Sequence, residues 1–135
     1  MKEKYTSYND SRIYYRVAGT GFPVVLLHGF GEDGNIWNHQ VDHLKNNYQL
    51  IIPDLPGSGK SDFIDIPGTG LETYADVIKQ ILESENLARV AMIGHSMGGY
   101  ITLAYVEKYP ENLSAFGLFH SSAYKDDEAK VDTRK

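Results

Sequence analysis

Short apolar runs alternate with amphipathic stretches along most of the chain. Predominantly apolar runs lie at Pro23–Leu27, Tyr48–Ile52 and Arg89–Ile93, and each has the length and flanking residues of a strand that is buried on both faces of a sheet. Between them, apolar residues recur at helical spacing over residues 36–46 and 73–84, which predicts two helices. The alternation predicts an α/β fold with a mostly parallel sheet flanked by helices.

The two ends of this pattern add further elements. Ser11–Ala18 is rich in β-branched and tyrosine residues and predicts a strand that pairs with Tyr5–Tyr8 as a hairpin. Met97–Tyr109 predicts a helix that stops at the following proline, and Leu113–Phe119 predicts a last apolar strand. Thr73 is predicted to cap the helix that it begins, because an acidic residue follows three positions later.

The composition is that of a single globular domain. The chain has 135 residues, of which 41% are hydrophobic and 23% are charged, and a chain of this size can bury a core without disulfides or metals. The formal net charge of -5 provides no basic surface for nucleic acid or for an anionic membrane. The absence of cysteine excludes disulfides, thiolate metal ligands and a cysteine nucleophile.

The first residues are not expected to act as a targeting signal. Its first residues, M-K-E-K-Y-T-S-Y, lack the apolar run of a secretory signal peptide. No apolar stretch elsewhere in the sequence approaches the ~20 residues that cross a bilayer. We therefore expect a soluble, cytoplasmic protein without a membrane partner.

The segment Asp54–Ser61, D-L-P-G-S-G-K-S, ends like a phosphate-binding loop. Such a loop requires G-x-x-x-x-G-K-[ST], in which glycine amides cradle the phosphates, yet Asp54 occupies the position of the first glycine. A phosphate loop also opens directly into a helix. Here a Pro-Gly pair follows at positions 67 and 68 and prevents a helix from running on. The sequence therefore argues against a nucleotide site.

A second glycine-rich segment, Gly94–Gly99, fits G-x-S-x-G between a predicted buried strand and a predicted helix. At so sharp a turn the serine backbone is strained, and close approach of neighbouring segments leaves no room for a side chain at Gly94 or Gly98. The turn would expose the Ser96 hydroxyl at the carboxyl end of the sheet. It would also aim the N–H of Met97 at an oxyanion beside the helix N-terminus. A tight glycine turn with an inert serine is the alternative.

Three motifs together resemble the α/β-hydrolase fold family, in the order that the family has them. They are H-G-F at residues 28–30, D-L-P-G-S-G-K-S at 54–61 and G-H-S-M-G-G at 94–99. The resemblance covers essentially the whole chain but only the N-terminal half of the family's fold, without its lid and last strands. It implies that residues 54–61 form a structural loop at the floor of the active site.

The resemblance also implies roles for single residues. Ser96 becomes the nucleophile of an esterase-like serine hydrolase, and the backbone N–H groups of Phe30 and Met97 form its oxyanion hole. The other motif residues support this hole and the elbow: His28, Gly29, Gly94, His95 and Gly98. A serine rather than an aspartate at the elbow argues against the dehalogenase and epoxide hydrolase branches. Carboxylesterase, carbon–carbon bond hydrolase, aminopeptidase and lyase-type relatives share these motifs and stay open.

The histidines offer alternatives that are weaker. His39 and His43 lie four apart on a predicted helix and could share a metal, but no third ligand has the required spacing. We therefore interpret them as a solvated helix face and expect no metal or other cofactor. His28 is disfavoured as a catalytic base because it precedes the nucleophile. His120 ends the last predicted strand and could approach the pocket, although a satisfied polar group at a strand end is the commoner case.

Ser96 requires a base and an orienting acid, which in this family follow the nucleophile along the chain. His120 is the only histidine after Ser96 and comes too early for the family's position. The acidic run in the charged tail matches no acid site: Asp126, Asp127 and Glu128. We therefore expect the acid and base of the triad to be absent, so that the chain is a fragment of a longer hydrolase and nearly inactive alone.

The domain organisation follows from the same resemblance. Residues 1–123 are predicted to form a partial α/β-hydrolase core domain, and residues 124–135 a charged tail that leads toward an absent lid. Leu113–Phe119 would then be a free sheet edge, through which we expect a homodimer.

Two other functions remain beside a serine hydrolase acting on a small carboxylic ester or related acyl substrate. The first is a non-catalytic ligand-binding protein on a hydrolase scaffold. The second is a structural half that assembles with a partner.

Overall fold

A tyrosine-rich hairpin begins the sheet. In the computed structural model of the chain, which describes residues 1–64 and 70–119, β1 (Lys2–Tyr8) pairs antiparallel along its whole length with β2 (Ser11–Ala18). The two turn residues, Asn9 and Asp10, both have positive φ, at 49° and 71°, as a type I′ hairpin turn requires. The hairpin predicted from Tyr5 onward is therefore longer than expected, because β1 begins at the second residue.

Among residues 1–64 and 70–119, four further strands complete one six-stranded sheet in the order β1-β2-β4-β3-β5-β6. They are β3 (Phe22–Leu27), β4 (Tyr48–Pro53), β5 (Val90–His95) and β6 (Leu113–Phe119). β3 runs parallel to β4 and β5, and β5 runs parallel to β6, whereas β2 meets β4 in antiparallel orientation. The prediction of a mostly parallel sheet in an α/β fold is confirmed.

The strand order reverses direction at β3. The chain passes from β3 to its neighbour β4 on one side, and then returns across β3 to β5 on the other side. In open sheets of this kind, ligands bind outside the carboxyl ends of the strands where the order reverses. The loops that follow β3 and β5 therefore meet at the place where a binding crevice is expected.

In the described part of the chain, three α-helices cover the two faces of the sheet: α1 (Asn38–Leu44), α2 (Leu71–Ser84) and α3 (Met97–Lys108). The helix predicted over residues 36–46 is shorter, because a 3-10 turn at Gly34–Trp37, capped by the side chain of Asp33, precedes α1.

The cap predicted at Thr73 is wrong. α2 begins at Leu71 and its N-cap is Gly70, whose φ of 79° turns the chain into the helix without a side-chain bond.

Two apolar clusters fill the spaces on either side of the sheet. α2 and α3 pack on one face, where the larger cluster combines their buried side chains with those of the strands: Ile13, Tyr15, Val25, Leu27, Ile51, Val77, Ile78, Ile81, Met92, Ile101 and Tyr105. α1 and the 3-10 turn cover the other face, which has a smaller cluster: Ala18, Val24, Leu26, Trp37, Val41, Leu50 and Ile52. The central strands are thus buried on both faces, as their apolar runs predict.

The last strand is less covered than its composition suggests. β6 is an edge strand, and Phe116 and Phe119 keep 48% and 56% of their surface exposed. Strand alternation directs these two side chains to opposite faces of the sheet.

Within residues 1–64 and 70–119, no helix combines the length and hydrophobicity needed to cross a bilayer.

Candidate active site

The turn between β5 and α3 holds Ser96 in a strained conformation. Its φ of 59° and ψ of -120° lie outside the regions that a residue with a side chain ordinarily adopts. A Cβ on Gly94 would lie 2.1 Å from the carbonyl oxygen of Gly98, and a Cβ on Gly98 would lie 2.6 Å from the carbonyl oxygen of Leu27. The glycines therefore allow the start of α3 to approach both β5 and the end of β3.

The loop after β3 lies directly against this serine. A Cβ on Gly29 would come within 2.8 Å of the Ser96 Cβ atom, so only the bare glycine backbone fits there. The next residue, Phe30, has an exposed side chain, and Gly31 turns the chain with a φ of 78°. No backbone carbonyl in the described ranges accepts a hydrogen bond from the N–H of Phe30 or of Met97. Neither proposed oxyanion donor is thus bonded to a described backbone carbonyl.

His28 is fully buried and binds two backbone segments. Its Nδ1–H donates to the Gly29 carbonyl oxygen at 2.8 Å, and its Nε2 accepts from the Leu55 N–H at 2.8 Å. Burial lowers the pKa of His28, so the ring stays neutral with one donor and one acceptor, as these bonds require. Both nitrogens are occupied, which leaves neither to take a proton from Ser96.

The segment after β4 is organised around the carboxylate of Asp54. Its Oδ1 accepts from the Gly34 N–H at 2.8 Å and its Oδ2 from the Lys60 N–H at 3.0 Å. Ser61 donates its hydroxyl to the Asp54 carbonyl at 2.5 Å and accepts from the Tyr14 N–H at 2.8 Å. These bonds join β2, the loop after β3 and the segment itself.

The glycine turn of this segment has no room for a bound phosphate. A Cβ on Gly59 would lie 2.1 Å from Asp54 Oδ2, so the chain's own carboxylate occupies the concave side of the glycine turn. The Lys60 ammonium pairs instead with Glu3 on β1, at 3.3 Å. No helix follows in residues 61–64, where the described range ends. The segment therefore resembles a phosphate-binding loop in sequence but not in structure.

Glu32 lies beside the serine and was not predicted as a site residue. Its Oε1 accepts from the Gly29 N–H at 2.6 Å and from the His95 Nδ1–H at 3.1 Å. A Cβ on Gly29 would lie 2.9 Å from this same oxygen, so the carboxylate and Ser96 flank one glycine. The only signal in the sequence is that Glu32, four positions after His28, is the first of two adjacent acidic residues in the glycine-rich loop.

The His95 ring is held by aromatic side chains as well as by Glu32. Its centroid lies 6.5 Å from that of Trp37 in an edge-to-face arrangement and 5.6 Å from that of Phe119.

The other predicted histidines lie apart from this ring. His39 and His43 are in contact with each other on α1, with ring centroids 4.8 Å apart. Within residues 1–64 and 70–119, no third residue joins them as a metal ligand. His120 and the acidic residues 126–128 lie outside the described residues, as does the predicted tail.

The chain belongs to the alpha/beta hydrolase fold family, whose sequence model it matches over residues 23–129. It is 36% identical over 114 residues to a 2-hydroxy-6-oxononadienedioate/2-hydroxy-6-oxononatrienedioate hydrolase of Burkholderia vietnamiensis, a match that covers 81% of this chain and 40% of the relative. It is 30% identical over 127 residues to a cis-3-alkyl-4-alkyloxetan-2-one decarboxylase of Shewanella oneidensis, covering 92% of this chain and 40% of the relative.

A solved structure shows the same family relationship. A thermophilic esterase from Thermogutta terrifontis superposes with a TM-score of 0.79 and 30% sequence identity, over 87% of this chain and 45% of the esterase. In all three comparisons this chain spans less than half of the relative: 40% of the length of the two curated relatives and 45% of the esterase. The resemblance to an N-terminal half of the fold is therefore shown.

Proposed function

We propose that this chain supplies the nucleophile and oxyanion hole of a serine hydrolase that acts on a small carboxylic ester or related acyl compound. The observation that carries the proposal is the strained backbone of Ser96, at the carboxyl end of β5 and directly against the loop that follows β3. Strain of this kind persists at sites where function requires it. The hydrolase and esterase relatives support the same chemistry.

In the proposed reaction, the Ser96 oxygen attacks the carbonyl carbon of the substrate. The π electrons of the carbonyl move to its oxygen, which becomes an oxyanion between the N–H groups of Phe30 and Met97. When the tetrahedral intermediate collapses, the bond to the leaving oxygen breaks and an acyl-serine remains, which water then hydrolyses. A base takes the serine proton and returns it to the leaving group. That base is assigned to no residue of this chain.

A non-catalytic ligand-binding protein is the second candidate. The arrangement of His28 favours it, because both ring nitrogens are bonded to backbone and cannot serve Ser96. In such a protein the crevice at the carboxyl ends of β3 and β5 would bind a ligand without covalent attachment. The two candidates therefore differ in whether the Ser96 oxygen forms a bond.

An arylboronic acid separates these candidates, because boron becomes tetrahedral only when a nucleophile adds to it. Addition of the Ser96 oxygen is reversible and releases the hydroxyl proton to the buffer, so the adduct can form at equilibrium without a triad base. We expect phenylboronic acid to give a tetrahedral 11B NMR signal with the chain, and we expect this signal to vanish in Ser96→Ala. The adduct places a boronate oxygen where the oxyanion of ester hydrolysis would lie. Binding that is equally strong in both proteins, with boron still trigonal, would instead identify a receptor pocket. Absence of binding would overturn the proposed hydrolase site.

We also propose that the chain forms a symmetric dimer through β6. A free edge strand presents unpaired backbone groups to another strand, and a second copy offers the same edge in a two-fold arrangement. The exposed rings of Phe116 and Phe119 lie on this strand. In the dimer, the two β6 strands would pair antiparallel and continue one sheet across both copies.

A lysine on the edge should prevent this dimer. We expect Phe116→Lys to be monomeric by light scattering at concentrations at which the unaltered chain is dimeric, because the charged side chain opposes strand pairing. Phe63→Lys is the matched control, since Phe63 is also exposed but lies in the segment after β4. A chain that stays monomeric at high concentration, or a dimer that survives Phe116→Lys, would contradict the proposal.

A further inference from the structure

One carboxylate oxygen joins the two segments that supply the proposed oxyanion donors. Glu32 Oε1 accepts from Gly29, which precedes Phe30, and from His95, which precedes Ser96 and Met97. The side chains of His95 and Glu32 are only 14% and 28% exposed. Hydrogen bonds to a carboxylate are stronger than neutral ones, and shielding from water strengthens them further.

We propose that Glu32 is a positioning residue for the oxyanion hole, where it fixes the loop after β3 against the elbow. This inference rests on the proposed hydrolase function. The hole needs two donors from separate segments, each placed within about 0.5 Å of its working position. Gly29 and Gly31 make the loop conformationally permissive, so its own sequence does not fix the position of the Phe30 N–H. The Glu32 bridge supplies that constraint.

The bridge also determines which loop amide is free to face the substrate. Gly29 and Phe30 are consecutive in the loop that packs against Ser96, but the Gly29 N–H is bound by Glu32 at 2.6 Å. The Phe30 N–H is bound by no backbone carbonyl in the described part of the chain. Without the carboxylate, the Gly29 N–H would compete for the oxyanion and the loop could rotate about its glycines.

The elbow end of the bridge is rigid. The His95 ring packs against Trp37 and Phe119, and its backbone belongs to β5, which pairs with β3 and β6. Since a carboxylate only accepts hydrogen bonds, the proton of this bond lies on His95 Nδ1. The loop is therefore tied to a side chain whose own position is determined by packing and by the central sheet.

The test compares three substitutions by their effect on phenylboronate affinity. We expect Glu32→Ala to weaken the tetrahedral adduct about tenfold or more, because two hydrogen bonds to a charged acceptor are lost. Glu32→Gln keeps an acceptor oxygen and should recover most of that affinity. Asp33→Asn is the matched control, since it removes the same charge one residue along but keeps the oxygen that accepts from Asn35. It should bind as the unaltered chain does.

Amide hydrogen exchange provides a second readout that needs no ligand. We expect the Gly29 N–H to be protected in the unaltered chain and in Glu32→Gln, and to exchange rapidly in Glu32→Ala, while amides of β3 and β5 stay protected. Unchanged boronate affinity in a folded Glu32→Ala would overturn the positioning role, as would an unprotected Gly29 N–H in the unaltered chain. Failure of boronate to bind the unaltered chain would instead count against the hydrolase site, and the exchange data would still decide whether the bridge exists.

Discussion

Alanine at position 98 is expected to lower the free energy of unfolding by about 3 kcal/mol or more, the upper end of what overpacking costs. The new Cβ would lie 2.6 Å from the Leu27 carbonyl oxygen and 2.7 Å from the His28 carbonyl oxygen. Both are backbone atoms, one in the last residue of the central strand β3 and one in the residue that follows it, and they cannot move without displacing the sheet. A loss of this size is a large part of the ~5–15 kcal/mol that stabilises a typical domain.

The neighbouring glycine provides the control. A Cβ on Gly99 would meet nothing nearer than the Leu118 Cδ2 atom at 3.5 Å, which is ordinary van der Waals contact. Because Gly99 lies inside α3, alanine there should leave stability unchanged or raise it by up to ~1 kcal/mol through helix propensity. Urea unfolding followed by far-UV circular dichroism measures both variants. Equal midpoints for Gly98→Ala and the unaltered chain would show that the close approach of α3 to β3 is not tight.

The sheet was predictable from the sequence because its signals are local. The apolar runs of β3, β4 and β5 need no partner to be recognised, and the burial of these strands on both faces follows from their composition alone. The start of α2 was missed for the opposite reason. Gly70 serves as the N-cap through its left-handed backbone and makes no side-chain bond, so the hydroxyl of Thr73 was the more conspicuous signal although it lies inside the helix.

In the candidate site, too, the local turn was predictable from the sequence, whereas the contacts between distant loops were not. Ser96 and its glycines are adjacent in the sequence, and the strain and close contacts they produce are consequences of one sharp turn. Glu32 was missed because its partner His95 is 63 residues away, and no pattern in either segment indicates that they meet. The role of Asp54 was hidden in the same way, since Gly34 is 20 residues distant. Contacts between loops depend on strand order, which apolar periodicity does not specify.

The 135-residue chain is expected to hydrolyse p-nitrophenyl acetate with a turnover about 10⁶ lower than that of a complete serine triad. The physical reason is that, among the described residues, no histidine nitrogen is hydrogen-bonded to the Ser96 hydroxyl as a triad base is. His28 binds two backbone groups, and His95 donates to Glu32 while its ring packs against aromatic neighbours. His39 and His43 belong to α1, which covers one face of the sheet rather than the carboxyl end of β5.

A fluorophosphonate probe measures the same property without turnover, because it modifies a serine only when a base activates the hydroxyl. We expect the intact mass of the chain to be unchanged after exposure to the probe, as in the Ser96→Ala control. An adduct that forms in the unaltered chain and not in Ser96→Ala would show that a base lies among these 135 residues. His120→Ala would then test the one histidine that follows the nucleophile, and retention of the adduct would direct attention to His95 and its bond to Glu32.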